Sequence, residues 1–331
     1  MTDIAFLTGL AGATVTASTV LILAGLGELI SERAGVLNLG VEGMMLAGAL
    51  TGVVATVWTG NYWLGFFAGS LAGAALGSVH AFLCISLKAD QAISGVMLTL
   101  LGIGLTSYFG SGWGDASFSG FPDRTVPVIG DLLLEIPIIG PALFEGPATD
   151  FIALLLVPAV WWLLYRTNVG LELISVGEDP ETADTMGIDV FKMRYIAVLT
   201  GGLLAGAAGA HLSLAFNNLW ANEMSAGQGW IAIALVIFAR WRPVRLLLGA
   251  YLFGMFNALQ IRSQGLDLAF SSESALSALN PVIEFLMDPA IMSMYAYIAT
   301  IVVLVVTVVW SADNRSAEPG SLVQAYSRES D

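Results

Sequence analysis

The sequence predicts an all-α polytopic membrane protein with about nine transmembrane helices, within a range of eight to ten. Three observations carry this. The chain has 331 residues, 56% hydrophobic and only 11% charged, where a globular chain carries about 25% charged residues. Charge is excluded from whole stretches: 8–26 has none and 43–87 has none, the latter room for two spans of roughly 20 residues each. The apolar runs are continuous rather than alternating, which excludes a β-barrel.

Nine apolar segments follow in order: 5–27, 37–58, 62–87, 91–112, 150–165, 193–216, 228–240, 244–262 and 291–310. The start, MTDIAF, lacks a basic region, so the first segment is expected to be retained as a span rather than cleaved. The seventh segment has a short clean run, WIAIALVIFA, and a re-entrant piece is its alternative. Lys and Arg set the orientation. With 166–194 placed inside, ten of the 12 Lys and Arg fall inside and only Arg124 and Arg262 outside. The N-terminus is then outside and the C-terminus cytoplasmic.

One transmembrane domain is expected over 1–312, with an extracytoplasmic loop at 113–149 and a cytoplasmic loop at 166–194. Pro122, Pro127, Pro137, Pro141 and Pro147 deny the outer loop a continuous helix. The polar tail, 313–331, is expected to be disordered and cytoplasmic. Gly69, Gly73 and Gly77 repeat on one helical face, as do Gly48 with Gly52 and Gly202 with Gly206. Such faces let helix backbones approach closely. Cys84 is the sole cysteine, so no intrachain disulfide forms. A net charge of −14 argues against nucleic acid.

Polar residues inside an oily chain need a reason. GELISERAGVLNLGVEG, 27–43, carries Glu28, Glu32, Arg33, Asn38 and Glu42. Glu32 and Arg33 read as a helix end, with Arg33 paired to Glu28 or Glu32. Asn38 and Glu42 lie four apart, on one helical face. A carboxylate within the membrane is costly unless it faces protein or water, so Glu42 is expected to meet a partner or a polar pathway. Gln91, Ser94 and Thr99, and Asn257 with Gln260, either line a solute pathway or bond between helices. His80 and His211 read as packed, hydrogen-bonded side chains. Arg240, Arg242 and Arg245 read as the positive-inside signal, with a partner contact as the alternative. No phosphate-binding GxxxxGK[ST] occurs, so the chain is not expected to hydrolyse ATP.

GEDPETADTMGIDVFKMR, 177–194, specifies a short helix over 180–186. Asp179 suits the N-cap, Pro180 the first position, Glu181 the positive end of the dipole and Gly187 a left-handed stop. Such a helix is too short to stand alone in water, so a membrane surface or a partner protein must hold it.

ETADTMG resembles the E-A-A-three residues-G motif of ABC-importer permeases. Glu181, Ala183 and Gly187 match, and Thr182 stands where the motif often has Ala. GELISERAGVLNLGVEGMMLAGA, 27–49, resembles the N-terminal signature of the nucleoside and simple-sugar branch. Branched-chain amino-acid permeases have a looser version. Segments 176–210 and 227–260 resemble the same branch, so the likeness covers most of the chain except 113–149 and the tail.

The resemblance implies a type II ABC-importer-like permease subunit in the cell membrane, importing nucleosides. It implies a cytoplasmic ABC ATPase, a second permease in a heterodimer and an extracytoplasmic solute-binding lipoprotein. ATP with Mg would sit on the ATPase, with no cofactor in this chain. Asp179, Pro180, Glu181, Ala183, Met186 and Gly187 would form the coupling helix. Asn38, Glu42, Gln91, Asn257 and Gln260 would line the solute pathway. One alternative keeps the permease and changes the solute to a simple sugar or branched-chain amino acid. An ion-coupled carrier using Glu42 and the two His is the alternative of another class.

Overall fold

Helices begin where capping side chains stand. Asn61, Asp90, Thr167, Asp179 and Asp189 each accept from a backbone N–H in the first turn that follows them, satisfying donors a helix start leaves open. In a computed structural model, residues 2–114, 116, 118–121, 134–263, 280–310 and 318–328 are described, and their regular structure is helical.

The chain divides into two compact units. One comprises Thr19–Asp123, Pro147–Ala250 and Ser316–Asp331. The other comprises Met1–Ser18, Arg124–Gly146 and Tyr251–Arg315. Helix α1 is Thr2–Arg33, about 48 Å long at 1.5 Å per residue. It therefore runs past the apolar segment and takes Glu28, Glu32 and Arg33 into its last turns. Gly35, at φ +83°, stops it. Then come α2 (Val41–Thr59), α3 (Tyr62–Ala81) and α4 (Gln91–Gly110). The short α5 (Ile139–Phe144) lies within 113–149, and much of that segment lies outside the described residues. Helices α6 (Ala148–Arg166), α7 (Asn168–Glu178), α8 (Pro180–Thr185) and α9 (Val190–His211) follow. The chain continues with α10 (Gln228–Phe238), α11 (Pro243–Ser263), α12 (Asn280–Met287) and α13 (Pro289–Trp310).

In the first unit α2, α3 and α9 pack on one another. The glycine faces expected from the sequence meet here. A Cβ on Gly69 would lie 2.5 Å from Gly48 O, and one on Gly48 would strike the backbone of Gly206. A Cβ on Gly77 would lie 3.2 Å from Gly202 Cα. Backbone contact at these crossings supplies the dispersion that a hydrophobic drive cannot supply in lipid.

The candidate spans reach the lower bound of the expected range, and the tail departs from expectation. Among the described residues, seven helices are long and apolar enough to cross a membrane, by length and composition. An eighth span is added if Asn280–Met287 and Ala290–Ala299, bent by 62°, count as one. The seventh segment, for which a re-entrant piece is the alternative to a span, forms α10 of 11 residues, about 16 Å, short for a span. The tail also departs from disorder. Residues 318–328 pack against α7, α8 and α9, because Tyr326 and Ser321 find buried partners there.

Candidate functional site

The break between α1 and α2 is where the polar residues gather. Residues 34–40 leave the helix while most of them stay buried. Buried backbone N–H and C=O groups must be paired, and irregular backbone in a membrane protein survives only inside protein. The nearby side chains do this pairing. Glu28 Oε1 accepts from Asn38 N at 2.8 Å, and Gln91 Oε1 accepts from Leu37 N at 2.8 Å. Thr99 Oγ1 donates to Leu39 O at 2.9 Å. His80 lies between Leu37 O, 3.1 Å from Nε2, and Ser94 Oγ, 3.0 Å from Nδ1. Asn38 Oδ1 accepts from Gly40 N at 2.9 Å and closes the turn.

Glu42 braces a distant element. Its carboxylate accepts from Ser225 Oγ at 2.6 Å, Gly227 N at 2.8 Å and Gly229 N at 2.6 Å. It thereby caps the start of α10 with a side chain from another helix, as an anion at a helix N-terminus should. Gly229 permits the approach, since a Cβ there would lie 2.6 Å from Glu42 Cα.

The other end of the break holds the turn between α10 and α11. Glu32 Oε2 accepts from Trp241 Nε1 at 2.6 Å. Arg33 donates to Trp241 O from Nε at 3.3 Å and Nη2 at 3.2 Å. Arg240 and Trp241 both have positive φ, 51° and 54°, a strained backbone that these bonds fix in place. Arg33, Arg242 and Arg245 line a cleft of about 460 Å³ with Trp161, Tyr165 and Val244.

Two sequence readings change here. Asn38 is not on a helical face with Glu42: α2 begins at Val41, so Asn38 belongs to the turn and Glu42 to the first helical turn. Arg33 does not pair with Glu28 or Glu32; its ion pair is with Glu178, at 3.8 Å. His211 is packed and hydrogen-bonded as expected, with Thr149 Oγ1 2.8 Å from Nδ1, and Asp150 Oδ1 on the same helix as Thr149 lies 3.7 Å from Nε2. Adjacency in sequence misses partners that come from other helices. Of the pathway residues, Asn38, Glu42 and Gln91 are buried and engaged within the chain. In the second unit, Asn257 Oδ1 is buried without a hydrogen-bond partner among the described residues, and Gln260 is half-buried on the same helix.

Helix α8 forms as its residues specify. Asp179 Oδ1 accepts from Thr182 N at 3.1 Å and its Oδ2 from the Thr182 hydroxyl at 2.5 Å, and these bonds hold its carboxyl below the usual Asp range. Gly187 turns the chain at φ +87°. Ala183 is buried, while Glu181 and Met186 are exposed, Met186 at 79%. Arg328 beside Asp184 holds that carboxyl low as well. A lowered folded value means the contribution is complete above the unfolded value and lost only as pH falls through the folded one. Protection of the 318–328 amides from hydrogen exchange, corrected for intrinsic rate, should not change from about pH 8 to 6, well above the ordinary Asp range. It should fall only in acid.

The family model for the permease component of the branched-chain amino acid transport system matches residues 10–271. The chain belongs to this permease family. The permease is therefore a transport subunit and a multi-pass protein of the cell membrane. It is 62% identical over 327 residues to the putative glucose ABC transporter permease protein TsgC13 of Haloferax volcanii, covering 98% of this chain and 99% of that one. It is 37% identical to the guanosine ABC transporter permease protein NupQ of Bacillus subtilis, over 75% of this chain and 81% of that one. It is 36% identical to the nucleoside ABC transporter permease protein NupC of Lactococcus lactis, over 74% and 79%. No solved structure matches the permease.

Proposed function

We propose that the permease is the membrane subunit of an ATP-driven importer of nucleosides, with the pathway formed beside a second, distinct permease chain. ATP with Mg is bound and hydrolysed by a cytoplasmic ATPase, and a solute-binding lipoprotein delivers the solute. The observation that carries the reading is α8, a six-residue helix capped at both ends that presents Glu181 and Met186 outward. A helix this short is not held by its own hydrogen bonds; segment 318–328 holds its inner side through Ala183 and Asp184, and its exposed face suits the groove of an ATPase. The double change Glu181→Arg with Met186→Arg tests it, because both side chains are exposed and neither supports the core. Loss of the copurifying ATPase, with unchanged yield of permease, is expected. Ala183 is a poor site for this test, since it is buried against Val176, Val190 and Met193.

The solute reading is supported by the relatives that carry nucleosides and by the signature at 27–49. Glucose is a second reading, favoured by the 62% relative. Uptake of labelled guanosine, challenged with excess unlabelled guanosine or glucose, separates the two. For the pathway, Asn257 has the strongest support, because its carbonyl oxygen is buried and unanswered among the described residues, a state that costs stability unless a ligand uses it. Asn257→Ala should lower uptake by about tenfold, the effect of roughly 1.4 kcal/mol, without lowering the yield of folded permease. Uptake that persists without any ATPase would replace the whole reading with an ion-coupled carrier.

A further inference from the structure

The segment 318–328 is built into the fold beside α8. Tyr326 is 8% exposed and packs with Val176 of α7, Ala183 of α8, and Val190 and Met193 of α9. Its ring centroid lies 5.6 Å from that of Phe191. Ser321 donates to Gly177 O twice, from its amide at 2.9 Å and its hydroxyl at 2.8 Å.

Arg194 shows that the segment is not an accessory. This arginine is 2% exposed. Its Nε donates to Ala34 O at 3.2 Å, its Nη1 to Gln324 O at 3.0 Å and its Nη2 to Ser321 Oγ at 3.1 Å. Two of these three acceptors belong to the tail. Without it, a buried guanidinium would lose most of its partners, and a buried charge without partners is strongly disfavoured. Gly35 also meets the tail: a Cβ there would lie 2.6 Å from Ser321 Oγ. Arg328 closes the far end on Asp184, with Nε 2.8 Å from Oδ2 and Nη2 bonded to Oδ1. A two-point grip of this kind fixes geometry as well as charge.

The tail thus ties together the turn after α1, the end of α7, helix α8 and the start of α9. It covers the inner side of α8 through Ala183 and leaves Glu181 and Met186 free. We propose that Glu318–Arg328 is a clamp that positions α8 for its ATPase, with Tyr326 and Arg328 as positioning residues. This rests on the reading of α8 as the coupling helix. Force applied at Met186 and Glu181 is then passed to α9 and to the turn at 34–35, instead of being lost in a loose loop.

The test uses the complete importer reconstituted with its ATPase, second permease and binding protein. The variants are a chain ending at residue 317, Tyr326→Ala, Asp184→Arg, and Asp184→Arg with Arg328→Asp. The readouts are hydrogen exchange at the Ser321 amide, basal ATP hydrolysis, and hydrolysis stimulated by loaded binding protein. Asp184→Arg should speed exchange and cut stimulated hydrolysis by about fivefold, the effect of a broken two-point grip plus repulsion. The charge exchange should restore both readouts, and basal hydrolysis should not change. Tyr326→Ala, which leaves Arg194 its partners, should uncouple in the same way and guards against misfolding of the shortened chain. Stimulated hydrolysis unchanged in both Tyr326→Ala and the shortened chain, with the ATPase still bound, overturns the clamp and leaves the coupling helix standing. Stimulated hydrolysis that rises on shortening also overturns it, in favour of a blocking tail. An ATPase that fails to bind the native permease overturns the coupling-helix reading first and the clamp with it.

Discussion

Glu42→Ala is expected to remove most of the folded permease from the membrane. The carboxylate answers three donors, the Ser225 hydroxyl and the Gly227 and Gly229 amides. Each buried donor left open costs about 1–3 kcal/mol, so the sum is at least about 3 kcal/mol, a large part of the stability of a typical domain. The loss falls at the start of α10, which has no cap from its own sequence. Glu42→Gln keeps one acceptor but sets an amide against at least one N–H, and should fall between the two. The check is the yield of monodisperse protein and its thermal midpoint in detergent. A Glu42→Ala protein with native midpoint would refute the bracing role. A well-folded Glu42→Gln protein that no longer transports would return Glu42 to the solute pathway.

The second large effect is expected at Gly206→Ala. A Cβ on Gly206 would lie 2.9 Å from Gly73 Cα and would also strike Gly69 O. These are backbone atoms, so no side chain can turn aside. The helices must separate, at the expense of contacts along their shared length. Overpacking of this kind costs about 1–3 kcal/mol, and more is expected where three backbones meet. The thermal midpoint should fall by several degrees. Gly104→Ala is the control. A Cβ at Gly104 meets nothing within 4 Å, and Ala in a helix is favoured over Gly by about 0.5–1 kcal/mol. The control should therefore hold or raise the midpoint. Equal effects at the two positions would show that the crossing is looser than its geometry implies.

Much of this was legible along the chain. The apolar runs located the seven helices that, among the described residues, are long and apolar enough to cross a membrane, because each run was long enough to decide its own state. Asp179, Pro180 and Gly187 bounded α8 because caps act within one turn. The glycine repeats announced the α2, α3 and α9 crossings because close approach needs small residues at helical spacing. The polar residues of 27–43 announce a break, the helix end at Glu32 and Arg33 and the need of Glu42 for a partner, but not every neighbour. Counting four residues puts Asn38 and Glu42 on one face, but the helix does not begin until Val41. Arg33 has acidic neighbours in sequence, yet its ion pair comes from Glu178. The tail carried no periodic signal, and its order rests on Arg194, Gly177 and Asp184, far away in the chain.

The sequence by itself determined the class of the protein, most of its candidate spans, the short helix and the family resemblance, since each rests on composition or on signals within a few residues. Tertiary structure alone decided what Glu28, Glu42, Gln91 and Arg194 do. Their charges and amides had to be answered by something, and only the packing of distant helices fixed which backbone groups would answer them.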